Sequence, residues 1–466
     1  VRLAWAEPED LLAHELVQAA DEGRDVAAVR ARWVAAGGEA VPAANGAGPE
    51  PAPPALRALA RALLDEVAAL PAAPAPAEPD DWAAIEALLP PPPDLPRPDE
   101  RHAARVLGAW TGRAAGCLLG KPVEGTPRAG IEEIARATGR WPLDRWFTAV
   151  GLPPAVAARW PWNRSASVAL EETIAGTPED DDLDFPMLAV ELLERHGRGF
   201  TTDDVAALWL EALPAARVFT AERVAYRNLL EARPVPETAT YRNPFREWIG
   251  ALIRADVLGW TNPGDVRTAA RLAWTDARLS HTRNGLYGAQ WAAALGAAAT
   301  VCDTVGQVLD AAAAAVPPGS RLAAAVARGR ALGEACDGSE AAVRAGLDRL
   351  HAELGHLHWV HVLHNAAVVA FALAAGRGEF GASVGIAVTA GWDTDSDAAT
   401  VGGVVGALRG AGGIGERWTG PLDGRIATTL PGGERRIADL AARTVALARA
   451  DRPAGGAPSP RAGGPR

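Results

Sequence analysis

The sequence predicts an all-α fold: a helical core with a small helical N-terminal extension. Ala, Leu, Val, Gly and Pro dominate, while β-branched and aromatic residues are comparatively few, the aromatics being 6% of the chain. That balance favours helix over sheet. Apolar residues recur at helical spacing along most of the 466 residues, and no strand alternation or hairpin signal competes with them.

In the first hundred residues, Leu11, Leu12, Leu16 and Ala19 share one helical face, as do Val26, Val29 and Trp33 before Gly37-Gly38. Further helices are expected over 55–70 and 82–89. The intervening 71–79 and the following 90–98 are Pro-rich and favour extended, stiff conformations. Residues 1–98 therefore read as an extension with Pro-rich linkers and no catalytic signature. The main domain is expected over 99–450. Helices are predicted at 103–119, 205–213, 248–258, 267–277, 286–300, 305–315, 321–335, 341–354, 361–375, 382–390 and 398–409. Gly410 to Gly413 reads as a C-cap and turn. The tail 451–466 is Gly, Pro, Ala and Arg and is expected to be disordered.

The formal net charge of -11 argues against a general nucleic-acid or anionic-membrane binder. Cys117, Cys302 and Cys336 are scattered, odd in number and without metal spacing, which fits a reduced setting. Glu7, Glu9 and Asp10 stand where a signal peptide would need basic and apolar residues. No apolar run reaches membrane-spanning length. The expected location is cytoplasmic, and oligomeric state is left open.

Two acidic clusters dominate the chemistry. The first is Glu179-Asp180-Asp181-Asp182-Leu183-Asp184, ahead of an apolar run to Leu193. Pro186 predicts a helix start at 182–184, because proline is tolerated in a first turn and disruptive later. Acids at a helix N-terminus each gain about 0.3–1 kcal/mol from the dipole. That accounts for one or two of them, whereas mutual repulsion grows with each addition. The second cluster is Asp393-Thr394-Asp395-Ser396-Asp397, ahead of a small-residue stretch. Asp397 is a candidate N-cap, and an Asx turn would use one or two more of these residues. A pair of hard divalent cations between the clusters would answer the repulsion, since such ions prefer oxygen ligands.

The motifs resemble those of the ADP-ribosylglycohydrolase family over about residues 103–430. Gly112 to Glu124, GRAAGCLLGKPVE, is similar to the family's opening helix, Asp180-Asp181-Asp182 to its Thr-Asp-Asp, and Asp393 to Asp397 to its Asp-Thr-Asp-Thr-Asn. The resemblance implies an all-α fold around two Mg²⁺ ions, with Mn²⁺ as the alternative. It implies Asp180, Asp181, Asp182, Asp393, Asp395 and Ser396 as metal ligands, and Glu124 as an acidic residue beside them. Ser280 and His281 resemble a segment lining the ADP-ribose pocket, and His364 and Asn365 are implied as further lining. The chain departs from the family pattern at Cys117 (commonly Asp), at Leu183 (usually Thr) and at Ile249, where an Asn-Gly-x-x-Met-Arg segment becomes Ile249 to Arg254.

The implied reaction is hydrolysis of an N- or O-glycosidic bond to ADP-ribose or a related ribosyl group. The substrate would be a small molecule or protein-linked, and Glu124 or Asp182 would accept a proton from water. A nucleoside or small N-glycoside hydrolase, or a silent ribosyl-ligand-binding module, are the alternatives. His351, His356, His358, His361 and His364 form a His-rich run. On a helix, His358, His361 and His364 would share a face. Pocket lining or an interface suits them better than zinc, because no second ligand motif accompanies them. Trp141, Trp146, Trp160 and Trp162 mark an irregular region that either packs or covers the pocket.

Overall fold

The computed structural model describes residues 2–48 and 50–450; the expected disordered tail lies outside the described residues. The fold is all-α, as composition and spacing predict. Among the described residues the strands are one two-residue antiparallel pair, in which Arg425–Ile426 meets Arg435–Arg436. The sequence carried no signal for so short a ladder.

Two helices form the spine. The opening helix His102–Gly120 and the glycine helix Thr394–Arg409 run antiparallel. Gly108, Gly112, Gly116 and Gly120 recur every fourth residue and face Gly406, Gly402, Ala398 and Thr394 in turn. A Cβ at Gly112 would lie 2.1 Å from the Gly402 carbonyl oxygen, and one at Gly116 would lie 1.9 Å from that of Ala398. The backbones therefore touch, and only glycine permits it. The Thr394 hydroxyl closes the seam by donating to the Gly120 carbonyl at 2.8 Å. The helices Arg283–Ala299, Val362–Gly376 and Phe380–Thr389 pack around this pair.

The N-terminal helices Pro8–Asp21, Ala27–Ala35, Pro54–Ala69 and Trp82–Leu88 are seated on the core. Arg246 bonds Glu15 and Glu22, Gln18 bonds Glu247 at 2.9 Å, and Arg321 bonds both Glu78 and Glu247. Trp274 donates to the Asp80 carbonyl at 2.8 Å. An aromatic cluster completes the junction: His14 lies 5.3 Å from His358, which stacks on Trp248 at 4.3 Å. Burial holds His14 at a pKa of about 3 and His358 at about 4, so both are neutral at neutral pH.

Most helix ends fall within a few residues of expectation, and four features differ. The helix expected over 248–258 is instead a turn, Ile249–Ala251, followed by Asp256–Trp260. Trp248 is extended there, bridged to His361, and Ile249 N–H donates to the Val360 carbonyl at 3.0 Å. His361 is an N-cap, its Nδ1 accepting from Leu363 N–H, so His358 and His361 precede the helix and share no helical face with His364. Asp397 is not a cap either: the glycine helix begins at Thr394, placing Asp395 and Asp397 inside its first turn. Finally, the helix Asp181–His196 starts ahead of the expected 182–184 and carries Pro186 in its second turn.

Two outcomes follow. Gly112→Val should cost at least about 2 kcal/mol by overpacking, read as a lower midpoint in denaturant unfolding; an unchanged midpoint would refute the close seam. Because His14 and His358 titrate far below the unfolded value of 6.5, their neutral burial contributes stability above that pH. The contribution is lost as pH falls from 6.5 towards 4 and then 3. His14→Phe should flatten the acid limb of a stability–pH curve relative to wild type.

Candidate active site

The Asp181–His196 helix begins with its N-cap Asp180, whose Oδ1 accepts from Asp182 N–H at 2.9 Å. Pro186 lacks the N–H that would bond the Asp182 carbonyl. Arg113 replaces it: its Nε donates to that same carbonyl at 2.8 Å, and its guanidinium also reaches Asp182 Oδ1 at 3.2 Å, Asp256 and the Ile253 carbonyl. A fully buried arginine on the opening helix thus repairs the helix that proline interrupts. It also holds the helix mouth against the spine.

The spine brings the second cluster to the first. The Ser396 hydroxyl donates to Asp182 Oδ2 at 3.1 Å, linking the two sequence clusters directly. Two groups of donor atoms each lie within 4.8 Å of one another: Cys117 with Asp180 and Asp182, and Glu124 with Asp393 and Asp395. Lys121, between the groups in sequence, bonds Asp180 Oδ2. Asp181 and Glu124 are partly exposed, whereas Asp180, Asp182, Asp393, Asp395, Ser396 and Asp397 are buried.

Charge at this density is unstable in the ionised form. Two carboxylates 4.8 Å apart repel by about 3 kcal/mol at an effective dielectric of 20. Burial, then neighbouring acids, push Glu124, Asp181, Asp182, Asp393 and Asp397 well above the usual carboxylate range. Burial, with Asp180 beside it, raises Asp395 to about 6. Burial would raise Asp180 too, but the Lys121 ammonium outweighs it and holds the carboxyl below its ordinary value. Neither oxygen of the buried Asp397 carboxylate has a hydrogen-bond partner. An orphaned buried carboxylate beside seven other oxygen-bearing side chains fits a hard cation, and the predominance of oxygen fits Mg²⁺ or Mn²⁺ better than softer metals.

The remaining predicted site residues fall into two buried clusters. Ser280 Oγ pairs with His281 Nδ1 at 2.7 Å and accepts from Arg254 at 3.0 Å; Arg254 in turn bonds Glu222 and Asp276. Burial, and then Arg254, depress the His281 pKa well below normal, and its Nε2 has no hydrogen-bond partner. His364 lies 4.2 Å from the Trp392 ring, next to Asp393 in sequence, with Nε2 on the Trp359 carbonyl at 3.1 Å. Asn365 spends its amide donors on the Trp359 and His361 carbonyls and leaves Oδ1 unpartnered. Of the irregular-region tryptophans, Trp146 packs against Trp418 and Trp160 donates to Glu133 at 2.6 Å.

Sequence reasoning overlooked Arg113, Lys121 and Asn163, the last donating to Glu124 Oε2 at 3.0 Å. The first two had a visible signal. Arg113, Cys117 and Lys121 recur every fourth residue, one position after the glycine ladder, so they line the helical row beside the seam.

The sequence model of the ADP-ribosylglycohydrolase family matches residues 98–454. The chain belongs to this family. A solved structure described as an ADP-ribosylglycohydrolase-related protein complex is similar over 75% of this chain and 99% of its own, at 22% identity and a TM-score of 0.45. No curated protein matches. Family membership supports a glycohydrolase-type enzyme acting on ribosylated substrates. No helix among the described residues is long and apolar enough to cross a membrane.

Protons and any divalent cation bound here would compete for these carboxylates. With Asp395 raised to about 6 and Asp393 also raised by burial and Asp395, a cation entering the site would displace protons. The thermal shift given by Mg²⁺ should therefore be small at pH 5 and grow as pH rises through 6. Calorimetry in buffers of different ionisation enthalpy should detect proton release. A pH-independent shift would refute the linkage.

Proposed function

We propose that the protein is a divalent-metal-dependent hydrolase of N- or O-glycosidic bonds to ADP-ribose or a related ribosyl group. The observation that carries this reading is the meeting of two acid-bearing helix starts at one buried centre, joined by the Ser396–Asp182 bond, with the Asp397 carboxylate left unpartnered. Asp180, Asp181, Asp182, Asp393, Asp395 and Ser396 are our candidate metal-holding residues. When bound, a divalent cation supplies Lewis acidity that orients and acidifies water.

Glu124 is our preferred proton acceptor. Its carboxyl is held by the Asn163 amide at 3.0 Å, and burial with the neighbouring Asp395 raises its pKa, which favours proton uptake. Both Asp182 oxygens already accept from Arg113 and Ser396, which makes it the weaker candidate for that role. Ser280, His281, His364 and Asn365 are proposed to shape the substrate pocket, chiefly by positioning. The neutral His281 and the unpartnered Asn365 Oδ1 are the groups with hydrogen-bonding capacity to spare. We assign the family domain to about 99–450 and treat the preceding helices as a cover added to it.

Asp393→Ala and Asp395→Ala should each abolish Mg²⁺ or Mn²⁺ binding and turnover; unchanged calorimetric titrations would overturn the metal assignment. Glu124→Gln should lower turnover by about 10²–10⁴-fold while the protein remains folded. The linkage is decided by a screen of N-linked and O-linked ADP-ribosyl substrates alongside nucleosides. Hydrolysis of nucleosides alone would replace the ADP-ribosyl reading.

A further inference from the structure

We propose that this centre holds one divalent ion, on Asp393 and Asp395 beside Glu124, and that the Lys121 ammonium stands in for a second. The inference rests on the metal-dependent reading above and changes its expected count from two ions to one.

The two donor groups differ in what already occupies them. In the group formed by Cys117, Asp180 and Asp182, every carboxylate oxygen has a protein donor. Asp180 Oδ1 accepts from Asp182 N–H and Oδ2 from Lys121 Nζ. Asp182 Oδ1 accepts from Arg113 and Oδ2 from the Ser396 hydroxyl. What remains is the Cys117 sulfur, a soft donor that Mg²⁺ disfavours. A hard ion entering there would have to displace an ammonium and face a guanidinium, both held in a buried place where charges are weakly screened.

The other group is open by the same measure. The partners bonded to Glu124 and Asp395 are neutral: the Asn163 amide on Glu124 Oε2 and the Ser396 backbone N–H on Asp395 Oδ1 at 3.1 Å. Its three carboxylates converge within 4.8 Å with no sulfur among them. The difference traces to the opening helix. That helix places Arg113, Cys117 and Lys121 on one row, so the half-site facing it meets two cations and a thiol. Among the described residues, the half-site beyond its end has only neutral donors bonded to it and no sulfur in the group.

The test uses the full-length chain and Mn²⁺. Equilibrium dialysis counts ions per chain, and electron paramagnetic resonance separates an isolated Mn²⁺ from a pair about 3.5–4 Å apart, whose spins couple. We expect one ion per wild-type chain with an uncoupled spectrum. Lys121→Ala should raise the count to two and couple the spectrum. Asp393→Asn should lose the wild-type ion, and Cys117→Ser should keep it. Two ions in the wild type would overturn the inference and leave the metal-dependent reading standing. One ion in both the wild type and Lys121→Ala, or loss of the ion in Cys117→Ser, would also overturn it. No bound ion in any variant would overturn both readings. Should Lys121→Ala fail to fold, the wild-type count and the Asp393→Asn and Cys117→Ser results decide alone.

Discussion

The backbone contact between the opening helix and the glycine helix is the constraint on which the rest of the structure depends. Four glycines at four-residue spacing remove the side chains that would hold the two axes apart. At that separation the first turn of the glycine helix reaches the end of the opening helix, where Thr394 bonds Gly120. Asp393, Asp395 and Asp397 are thereby fixed relative to Lys121 and Glu124. A wider seam would carry the second acidic cluster away from the first. The small-residue stretch is thus a positioning device as well as a core, even though its glycines cost helix propensity of about 1 kcal/mol each relative to alanine.

Bringing so many carboxylates together creates an electrostatic cost that the chain meets from the adjacent row of the same helix. Arg113 acts on both backbone and charge: it satisfies the Asp182 carbonyl orphaned by Pro186 and opposes, without outweighing, the upward push of burial and Asp180 on the Asp182 carboxyl. A buried guanidinium needs several acceptors to offset its desolvation, and it finds them in Asp182, Asp256 and the Ile253 carbonyl. Lys121 opposes the push of burial on Asp180 and outweighs it. Proline and arginine are therefore a matched pair. Pro186 in the second turn would cost the helix a hydrogen bond without Arg113, and Arg113 would lack its backbone acceptor if an ordinary residue supplied that N–H.

The fold class was legible because helical periodicity and the scarcity of strand signals agreed along the whole main domain. The acidic clusters were legible because repulsion between adjacent carboxylates is a property of sequence. Other features were not, and three of them show why. The start of the first acid helix was misjudged because the rule confining proline to a first turn assumes that no side chain replaces the missing donor, and Arg113 does. The 248–258 helix failed because Trp248 and Ile249 pair with the distant residues His361 and Val360, a contact that local propensity cannot register. His358 and His361 left the helical face because His361 caps the helix rather than entering it.

The segment Ile249 to Arg254 is gripped from two sides. Outside it, Arg246 and Glu247 are tied to the N-terminal helix through Glu15, Gln18 and Glu22. Inside it, Arg254 bonds Glu222, Asp276 and Ser280, and Gly250 leaves no room for a Cβ beside Glu222. The cation that anchors Ser280 therefore belongs to the same short loop that receives the N-terminal cover. A shift of the cover would move Arg246 and, through seven intervening residues, the Arg254 that fixes Ser280 and His281. The Ser280–His281 corner and the docked N-terminal helices are consequently one mechanical unit, and Arg113 ties the acidic centre to the same loop, because the guanidinium that bonds Asp182 also bonds the Ile253 carbonyl.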